Sequence, residues 1–235
     1  MTDELRKKPL LNIKNLQVDL PTRQGRARVV DQVSFSLDRG KTLGLVGESG
    51  CGKSMLAKAI MGLLPFKAQV SIDSKVEFMG QNLLRMSAAQ IRQIVGRDIG
   101  LIFQDPMTSL NPVMKIGSQV SEILRHHLGL NRAVARDRTA RLLESVGIPR
   151  PERCATQYPH QLSGGLRQRV AIAIAIACKP QLLIADEPTT ALDVTVQAEI
   201  LDLLAELQQE KQMAMILITH DLGIVAGRTH ETAVM

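Results

Sequence analysis

The sequence is poor in aromatic residues: tryptophan is absent, tyrosine occurs once, and aromatic residues make up 2% of the 235 positions. Because 45% of the residues are hydrophobic, the predicted core is built from aliphatic side chains. The formal net charge is +6. The chain offers no aromatic platform on which bases could stack, and its basic residues are scattered, so we predict no nucleic-acid partner. An anionic small ligand, with an anionic membrane surface nearby, fits this charge better.

Cysteines and long apolar runs are also scarce. Cys51, Cys154 and Cys178 are too few and too scattered for a disulfide framework or a zinc site, which favours a reducing cytosolic compartment. The first eight residues are polar and charged, so no signal peptide is predicted. The longest apolar run, residues 170–178, is too short to cross a bilayer. We therefore expect any membrane association to go through a partner.

One stretch fits the phosphate-loop pattern G-x-x-x-x-G-K-[ST] at every fixed position: Gly47, Glu48, Ser49, Gly50, Cys51, Gly52, Lys53 and Ser54. A short apolar strand is predicted before it at 42–46 and a helix after it at 55–64. The glycines let backbone N–H groups turn toward an anion, and the new helix adds its positive end. The pattern predicts that Lys53 reaches the β- and γ-phosphates of a nucleotide and that the Ser54 hydroxyl holds Mg²⁺.

The rest of the chain alternates strands and helices, which favours an α/β fold with a largely parallel sheet. Residues 21–25 are predicted as a turn. Residues 171–178 alternate Ala and Ile like a strand, but their alanine content, Ser163 as a cap and Lys179-Pro180 as a stop favour a buried helix. Strands are predicted at 11–20, 33–37, 76–79, 99–103, 182–185, 213–218 and near 233–235, and further helices at 87–95, 116–128, 132–146, 194–211 and 221–226. We predict one domain over 1–235, with an α/β core of 1–104 and 179–235 and an inserted helical lobe of 105–178.

Several polar residues directly follow predicted strands, where the functional groups of parallel sheets gather. Asp186 and Glu187 follow an apolar strand; Asp186 is predicted to hold Mg²⁺ and Glu187 to polarise an attacking water. Gln104 also ends a strand and is predicted to contact Mg²⁺ or that water. His220 follows the strand at 213–218, where its imidazole can donate to a γ-phosphate oxygen.

Leu162, Ser163, Gly164 and Gly165 form a further candidate site at a predicted helix start. An ordinary capped helix is one interpretation, and a second anion cradle is the other. One chain with one nucleotide does not need two γ-phosphate sites. Two chains facing head to tail do, because each cradle can then close over the nucleotide of the other chain.

Together these pieces resemble the ATP-binding cassette ATPases, from about residue 11 to the end of the chain. In that family's terms Gln104 is the Q-loop glutamine, residues 162–165 are the signature, Ala191-Leu192-Asp193 is the D-loop and His220 is the switch histidine. The resemblance implies a P-loop NTPase core with an N-terminal antiparallel β subdomain and an inserted helical subdomain. It also implies ATP and Mg²⁺ as cofactors. In these terms Glu187, His220 and Gln104 are the catalytic residues, and Ser54, Gln104 and Asp186 hold Mg²⁺. The signature acts on the partner subunit's nucleotide, and Asp193 is the site residue of the D-loop.

Residues 47–54, 103–112, 158–161 and 185–193 are similar to the dipeptide, oligopeptide and nickel importer branch of the family. That branch implies the ATPase of a bacterial inner-membrane importer, peripheral on its cytoplasmic face, for di- or oligopeptides or alternatively for nickel or another small solute. The implied partners are a second ATPase subunit, identical or not, two integral membrane permease subunits and an external solute-binding protein.

Two departures from the family pattern bear on these expectations. Leu20 stands where family members often place an aromatic ring against adenine, so an aliphatic contact is expected there. Chains of the branch usually continue well past His220, so the C-terminal end looks truncated, and a catalytically silent nucleotide-binding module is the alternative of another class. Intact Lys53, Asp186, Glu187 and His220 favour hydrolysis.

Other nucleotide-binding classes fit less well. Cassette ATPases of DNA repair carry a very long coiled-coil insertion and those of translation carry tandem cassettes, and the sequence shows neither. A P-loop kinase does not need the signature together with His220.

Overall fold

The computed structural model describes residues 8–23, 25–105, 109–190 and 192–235. The chain divides into two compact units, one of Met1–Val95 with Gln212–Met235 and one of Gly96–Lys211. The predicted helical lobe, residues 105–178, falls inside the second unit. That unit also holds the strands predicted at 99–103 and 182–185, which the sequence analysis assigned to the α/β core. The boundaries of the helical lobe therefore remain a prediction.

The first unit contains an antiparallel sheet built on a long hairpin. Strand β1 (Leu11–Thr22) pairs with β2 (Gly25–Leu37). The predicted turn at 21–25 is therefore too long, because Pro21 and Thr22 continue the ladder, opposite Arg26 and Gly25. The other side of β1 pairs with β4 (Gln69–Val70) and β5 (Lys75–Phe78), and β6 (Gln81–Asn82) pairs with β5. The antiparallel subdomain implied by the resemblance is confirmed.

The same unit holds three parallel strands in the order β10-β3-β9: β3 (Thr42–Val46), β9 (Ala214–Thr219) and β10 (Glu231–Val234). Every residue of β3 and β9 is buried, as expected for parallel strands covered on both faces. Helix α1 (Lys53–Ile60) follows β3, and the short helix α8 (Leu222–Val225) follows β9. Helix α2 (Ala88–Ile94) begins at a capping box of Ser87 and Gln90, as the predicted cap required.

Among its described residues, the second unit has two parallel strands and the five α-helices given below. Strands β7 (Ile99–Ile102) and β8 (Leu182–Asp186) pair in parallel, with Ile102 opposite Ala185. The helices are α3 (Ile116–Leu128), α4 (Arg132–Ser145), α5 (Pro151–Thr156), α6 (Gly164–Ile176) and α7 (Val194–Lys211). Aliphatic side chains from α3, α4 and α6 are fully buried, in agreement with the predicted aliphatic core.

Helix α6 resolves the conflict between strand and helix in favour of the helix. It begins at residue 164, directly after the predicted cap Ser163, and it ends at Ile176, before the predicted stop at Lys179-Pro180. Helix α5 was not predicted: it has six residues, and Pro151 at its first turn follows Arg150 in a left-handed conformation. Across the described part of the chain, no helix has the length and apolar character needed to span a membrane.

Candidate functional site

The phosphate loop joins β3 to α1 and has the backbone its glycines predict. Gly50 and Gly52 have φ angles of 85° and 107°, which L side chains rarely adopt. A Cβ atom at Gly52 would also overlap the carbonyl oxygen of Val29. Helix α1 begins at Lys53 rather than at 55, so the Ser54 hydroxyl lies in its first turn. The loop is thus an N-terminal helix cradle of the kind that binds phosphate.

The Lys53 side chain is folded into this loop. Its ammonium group donates to the carbonyl oxygens of Gly47 at 2.8 Å and Glu48 at 2.7 Å, and lies 3.6 Å from Cys51 Sγ. The residue is only 4% exposed, a burial that a charge tolerates when it is hydrogen-bonded. The loop therefore holds its cation on the inner side of the cradle, where an anion can replace the carbonyl oxygens.

His220 lies at the same sheet edge as this loop. Val46, the last residue of β3, pairs with Thr219, the last residue of β9, so the loop and His220 leave the sheet side by side. His220 is exposed. The next residue, Asp221, is fixed by two bonds: its N–H donates to Thr219 Oγ1 at 3.1 Å and its Oδ1 accepts from the Gly223 N–H at 2.7 Å. The sequence argument placed His220 at this edge, and the structure brings it there.

In the second unit, the ends of β7 and β8 bring Gln104 and Glu187 together. Asp186 closes β8 and is 9% exposed, and Glu187 follows with a φ angle of 47°. Glu187 Oε2 accepts hydrogen bonds from Gln104 Nε2 at 3.1 Å and from Thr190 Oγ1 at 3.0 Å. The sequence predicted Gln104 as a ligand of Mg²⁺ or water, and here its amide binds the Glu187 carboxylate. Thr190 was missed; its only sequence signal is its position three residues after Glu187.

The four signature residues occupy the start of α6. Leu162 is buried, and Ser163 Oγ accepts from the Leu166 N–H at 3.4 Å. A Cβ atom at Gly165 would lie 2.8 Å from Val196 Cγ1, and one at Gly164 would lie 3.5 Å from Leu192 Cδ2. These glycines therefore let the start of α6 approach the start of α7 closely, a packing role that the sequence argument did not foresee.

Asp193, the predicted D-loop residue, caps α7. Its Oδ1 accepts from the Val196 N–H at 3.0 Å. Asp193 of the D-loop thus binds the backbone of Val196, whose side chain lies against Gly165 of the signature. Ala191 lies outside the described residues. Leu20, the predicted adenine contact, is half-buried on β1 opposite Ala27.

The donors present suit a magnesium ion that is held mainly by nucleotide phosphates. The described residues contain no group of three or more His, Cys, Asp or Glu side chains placed to hold a metal ion. Mg²⁺ is commonly bound by one or two protein oxygens together with substrate phosphates. The Ser54 hydroxyl in the first unit and the Asp186 carboxylate in the second unit are each an oxygen donor of that kind.

Comparison with known proteins decides the family. The ABC transporter family pattern matches residues 30–190, more than half of the chain. The chain belongs to the ABC transporter family. Among relatives of this ABC ATPase, the dipeptide transport ATP-binding protein DppD of Escherichia coli is 52% identical over 226 residues, which cover 96% of this chain and 69% of that protein. The oligopeptide transport ATP-binding protein OppD of Bacillus subtilis is 49% identical over 226 residues, which cover 96% of this chain and 63% of that protein. The chain thus spans about two thirds of these relatives' length.

Solved ABC cassettes share the fold. The ATP-binding cassette MJ0796, in a dimeric post-hydrolysis state bound to ADP and Pi, has a TM-score of 0.84 and 26% identity, covering 96% of this chain and 94% of that one. The cbiO1 protein of Clostridium perfringens, part of an ABC transporter complex, has a TM-score of 0.79 and 28% identity. The match covers 97% of this chain and 85% of that one. The predicted P-loop NTPase fold and the predicted family are confirmed, and the ABC ATPase couples ATP hydrolysis to transport.

Proposed function

We propose that the chain is the ATP-hydrolysing, energy-coupling subunit of a bacterial importer for di- or oligopeptides, peripheral on the cytoplasmic face of the inner membrane. The observation that carries this proposal is 52% identity over 96% of the chain to a dipeptide transport ATP-binding protein. An oligopeptide transport ATP-binding protein is 49% identical, so both peptide classes are retained. Nickel or another small solute is kept as the alternative.

The proposed partners are a second ATPase subunit, two integral membrane permeases and an external solute-binding protein. The dimeric state of a related cassette supports the first of these. The loop after Gln104 is the proposed contact for the permeases, although residues 106–108 lie outside the described structure. Its later part is held firmly: the buried Gln119 side chain accepts from the Asn111 N–H and donates to the carbonyl oxygens of Asn111 and Met114, each at 2.9 Å. This leaves Val113 78% exposed on a braced loop, as a docking surface requires.

In the proposed binding step, residues 47–54 cradle the phosphates of ATP through backbone N–H groups. The Lys53 ammonium exchanges the carbonyl oxygens of Gly47 and Glu48 for phosphate oxygens. Ser54, Asp186 and Gln104 are the proposed ligands, directly or through water, of Mg²⁺, which when bound neutralises charge developing on the phosphates. In this proposal the Gln104 amide leaves its bond to Glu187 when the nucleotide arrives.

In the proposed chemical step, Glu187 orients a water and accepts its proton as the water oxygen bonds to the γ-phosphorus. The bond between that phosphorus and the bridging oxygen breaks, and the oxygen leaves with ADP. The Thr190 hydroxyl holds the carboxylate in position, and the left-handed backbone at Glu187 fixes the direction from which it projects. Such strained backbone is common at functional sites. His220 donates a hydrogen bond to a γ-phosphate oxygen.

The signature at residues 162–165 is proposed to act on the ATP of the second subunit. A mixed dimer tests this assignment. Ser163→Arg in one subunit should disable only the site that contains the other subunit's Lys53. A strictly monomeric preparation that hydrolyses ATP at full rate regardless of Ser163 would contradict the shared site.

The whole proposal is tested by reconstitution with the proposed permeases and solute-binding protein. ATP hydrolysis and uptake of a labelled dipeptide, a labelled oligopeptide and Ni²⁺ are measured in parallel. Peptide-stimulated hydrolysis, abolished by Lys53→Ala, is the expected result. Stimulation by Ni²⁺ alone would indicate that the importer carries nickel instead of peptides. Absence of hydrolysis with intact MgATP binding would indicate a catalytically silent nucleotide-binding module.

A further inference from the structure

Two apolar side chains stand almost fully in solvent on consecutive turns of the first unit. Phe66 is 88% exposed and Ile72 is 90% exposed. Phe66 is one of only four phenylalanines in the chain. Leaving large apolar side chains in water forgoes the stabilisation that their burial gives, so an exposed pair of this kind points to an interaction surface.

Both side chains occupy the same position of a β-turn. The Ala68 N–H donates to the Pro65 carbonyl oxygen at 3.0 Å, which makes Phe66 the second residue of the first turn. The Ser74 N–H donates to the Ser71 carbonyl oxygen at 3.1 Å, which gives Ile72 the same place in the second turn. The two tips are six residues apart and so at most about 20 Å apart. They project outward from the turns, in contrast to side chains that line a groove.

The segment that carries the tips is braced by β1. Between the turns, β4 pairs with β1, with Val70 opposite Val18. The Ser71 N–H donates to the Gln17 carbonyl oxygen at 3.2 Å. The buried Ser74 hydroxyl donates to the Asn15 carbonyl oxygen at 2.9 Å and accepts from the Gln17 N–H at 3.1 Å. The exposure of the tips is therefore part of the fold.

Lys67, the residue after Phe66, has an unfavourable left-handed backbone conformation and places its charge beside the Phe66 ring. Lys67 has a φ angle of 69°, at the turn position that favours glycine. Its ammonium group lies 5.8 Å from the centre of the Phe66 ring. Lys75 follows the second tip, and Asp73 is the one acidic residue between positions 63 and 75. Apolar tips flanked by lysines complement a lipid interface, with an apolar interior below anionic headgroups.

We propose that residues 65–74 form a lipid-contact site, in which Phe66 and Ile72 enter the interface of an anionic bilayer while Lys67 binds its headgroups. This is a direct contact of the ATPase with lipid, separate from its docking to permeases. The lysines that accompany the tips favour an anionic lipid surface as the occupant, because a bilayer offers an apolar interior beneath anionic headgroups.

The absence of tryptophan from the sequence gives a clean reporter. Single variants Phe66→Trp and Ile72→Trp are compared with Val113→Trp, a matched control at another exposed apolar position. The full chain is mixed with vesicles of phosphatidylcholine alone or with about one third phosphatidylglycerol. Emission should shift to the blue and be quenched by brominated lipid acyl chains at 66 and 72 on anionic vesicles, and not at 113.

Vesicle co-sedimentation then separates insertion from simple charge attraction. Phe66→Ser and Ile72→Ser should each lower partitioning about tenfold. Lys67→Gly should lower it about fivefold on anionic vesicles only, without lowering the melting temperature, because glycine adopts a positive φ freely. Unchanged emission at 66 and 72 on both vesicle types, equal quenching at 113, or loss of binding with Lys67→Gly alone would overturn the proposal. So would a shift that appears only when permease subunits are present, since the occupant would then be protein.

Discussion

Replacing Glu187 by glutamine should leave MgATP binding intact and lower turnover by a factor of about 10² to 10⁴, the usual contribution of a general base. That corresponds to about 2.7–5.4 kcal/mol in the barrier. The amide oxygen of glutamine can still accept from Gln104 and Thr190, which now bond Glu187 Oε2 at 3.1 and 3.0 Å. Each bond loses its charge assistance, roughly 1 kcal/mol, so the cost in stability stays near 2 kcal/mol. Because folded domains are typically stable by about 5–15 kcal/mol, a loss near 2 kcal/mol leaves nearly all molecules folded, and the loss of turnover then reports on the chemical step.

The assay is phosphate release at saturating MgATP, with nucleotide affinity measured separately by fluorescence. Glu199→Gln is the matched control, because Glu199 is an exposed carboxylate whose bond to Arg169, at 2.9 Å, lies outside the proposed chemistry. Thr190→Val removes one donor to Glu187 and should lower kcat about tenfold with little change in KM, because it disturbs orientation alone. Turnover of Glu187→Gln within about threefold of the native chain, or an equal loss in Glu199→Gln, would remove Glu187 from the mechanism.

Further predictions concern the phosphate loop, the signature and the pH response. Maleimide should label Cys51 and block ATP binding, and MgATP should protect it; Cys154 serves as the slow internal comparison, because burial raises the pKa of its thiol. Gly165→Ala should cost about 1–3 kcal/mol of overpacking against Val196, offset by about 1 kcal/mol because alanine favours helix. Adding Val196→Ala should restore the lost stability in a denaturation double-mutant cycle, and additive effects of the two substitutions would refute the contact. Burial, with His126 and Arg97 nearby, lowers the pKa of His127 below 6.5. The neutral side chain therefore contributes stability above about pH 6.5, and this contribution is lost as the pH falls through the lowered pKa of the folded state. In urea unfolding, His127→Gln should flatten the decline of stability at low pH, and an unchanged pH profile would contradict this assignment.

Features carried by local pattern were predictable from the sequence. The phosphate loop needs fixed residues at fixed spacing, so its position and its two neighbouring elements followed directly. Ser87 and Ser163 were identified as helix caps because capping depends on one side chain and the next few N–H groups. The long helices 116–128 and 194–211 match Ile116–Leu128 and Val194–Lys211 because amphipathic periodicity and stop residues agree there.

Features set by pairing between distant segments were not predictable. The bond between Gln104 and Glu187 depends on the register of β7 against β8, which places Ile102 opposite Ala185. The two-residue strand β4 has no periodicity and exists only because β1 offers an edge. The close approach of Gly165 to Val196 likewise depends on how two helices pack, while the sequence shows only a pair of glycines.

The position of Lys53 has a consequence for how nucleotide enters and leaves. The carbonyl oxygens of Gly47 and Glu48 close the loop around its own cation. If Lys53 binds the phosphates as proposed, ATP binding is an exchange of partners at a charge that is already buried, and it replaces two hydrogen bonds that each contribute about 1.5–3 kcal/mol. In that proposal, the two competing oxygens lower the affinity of the loop for nucleotide. Both belong to backbone carbonyl groups, so a side-chain substitution at either position leaves the competitor in place.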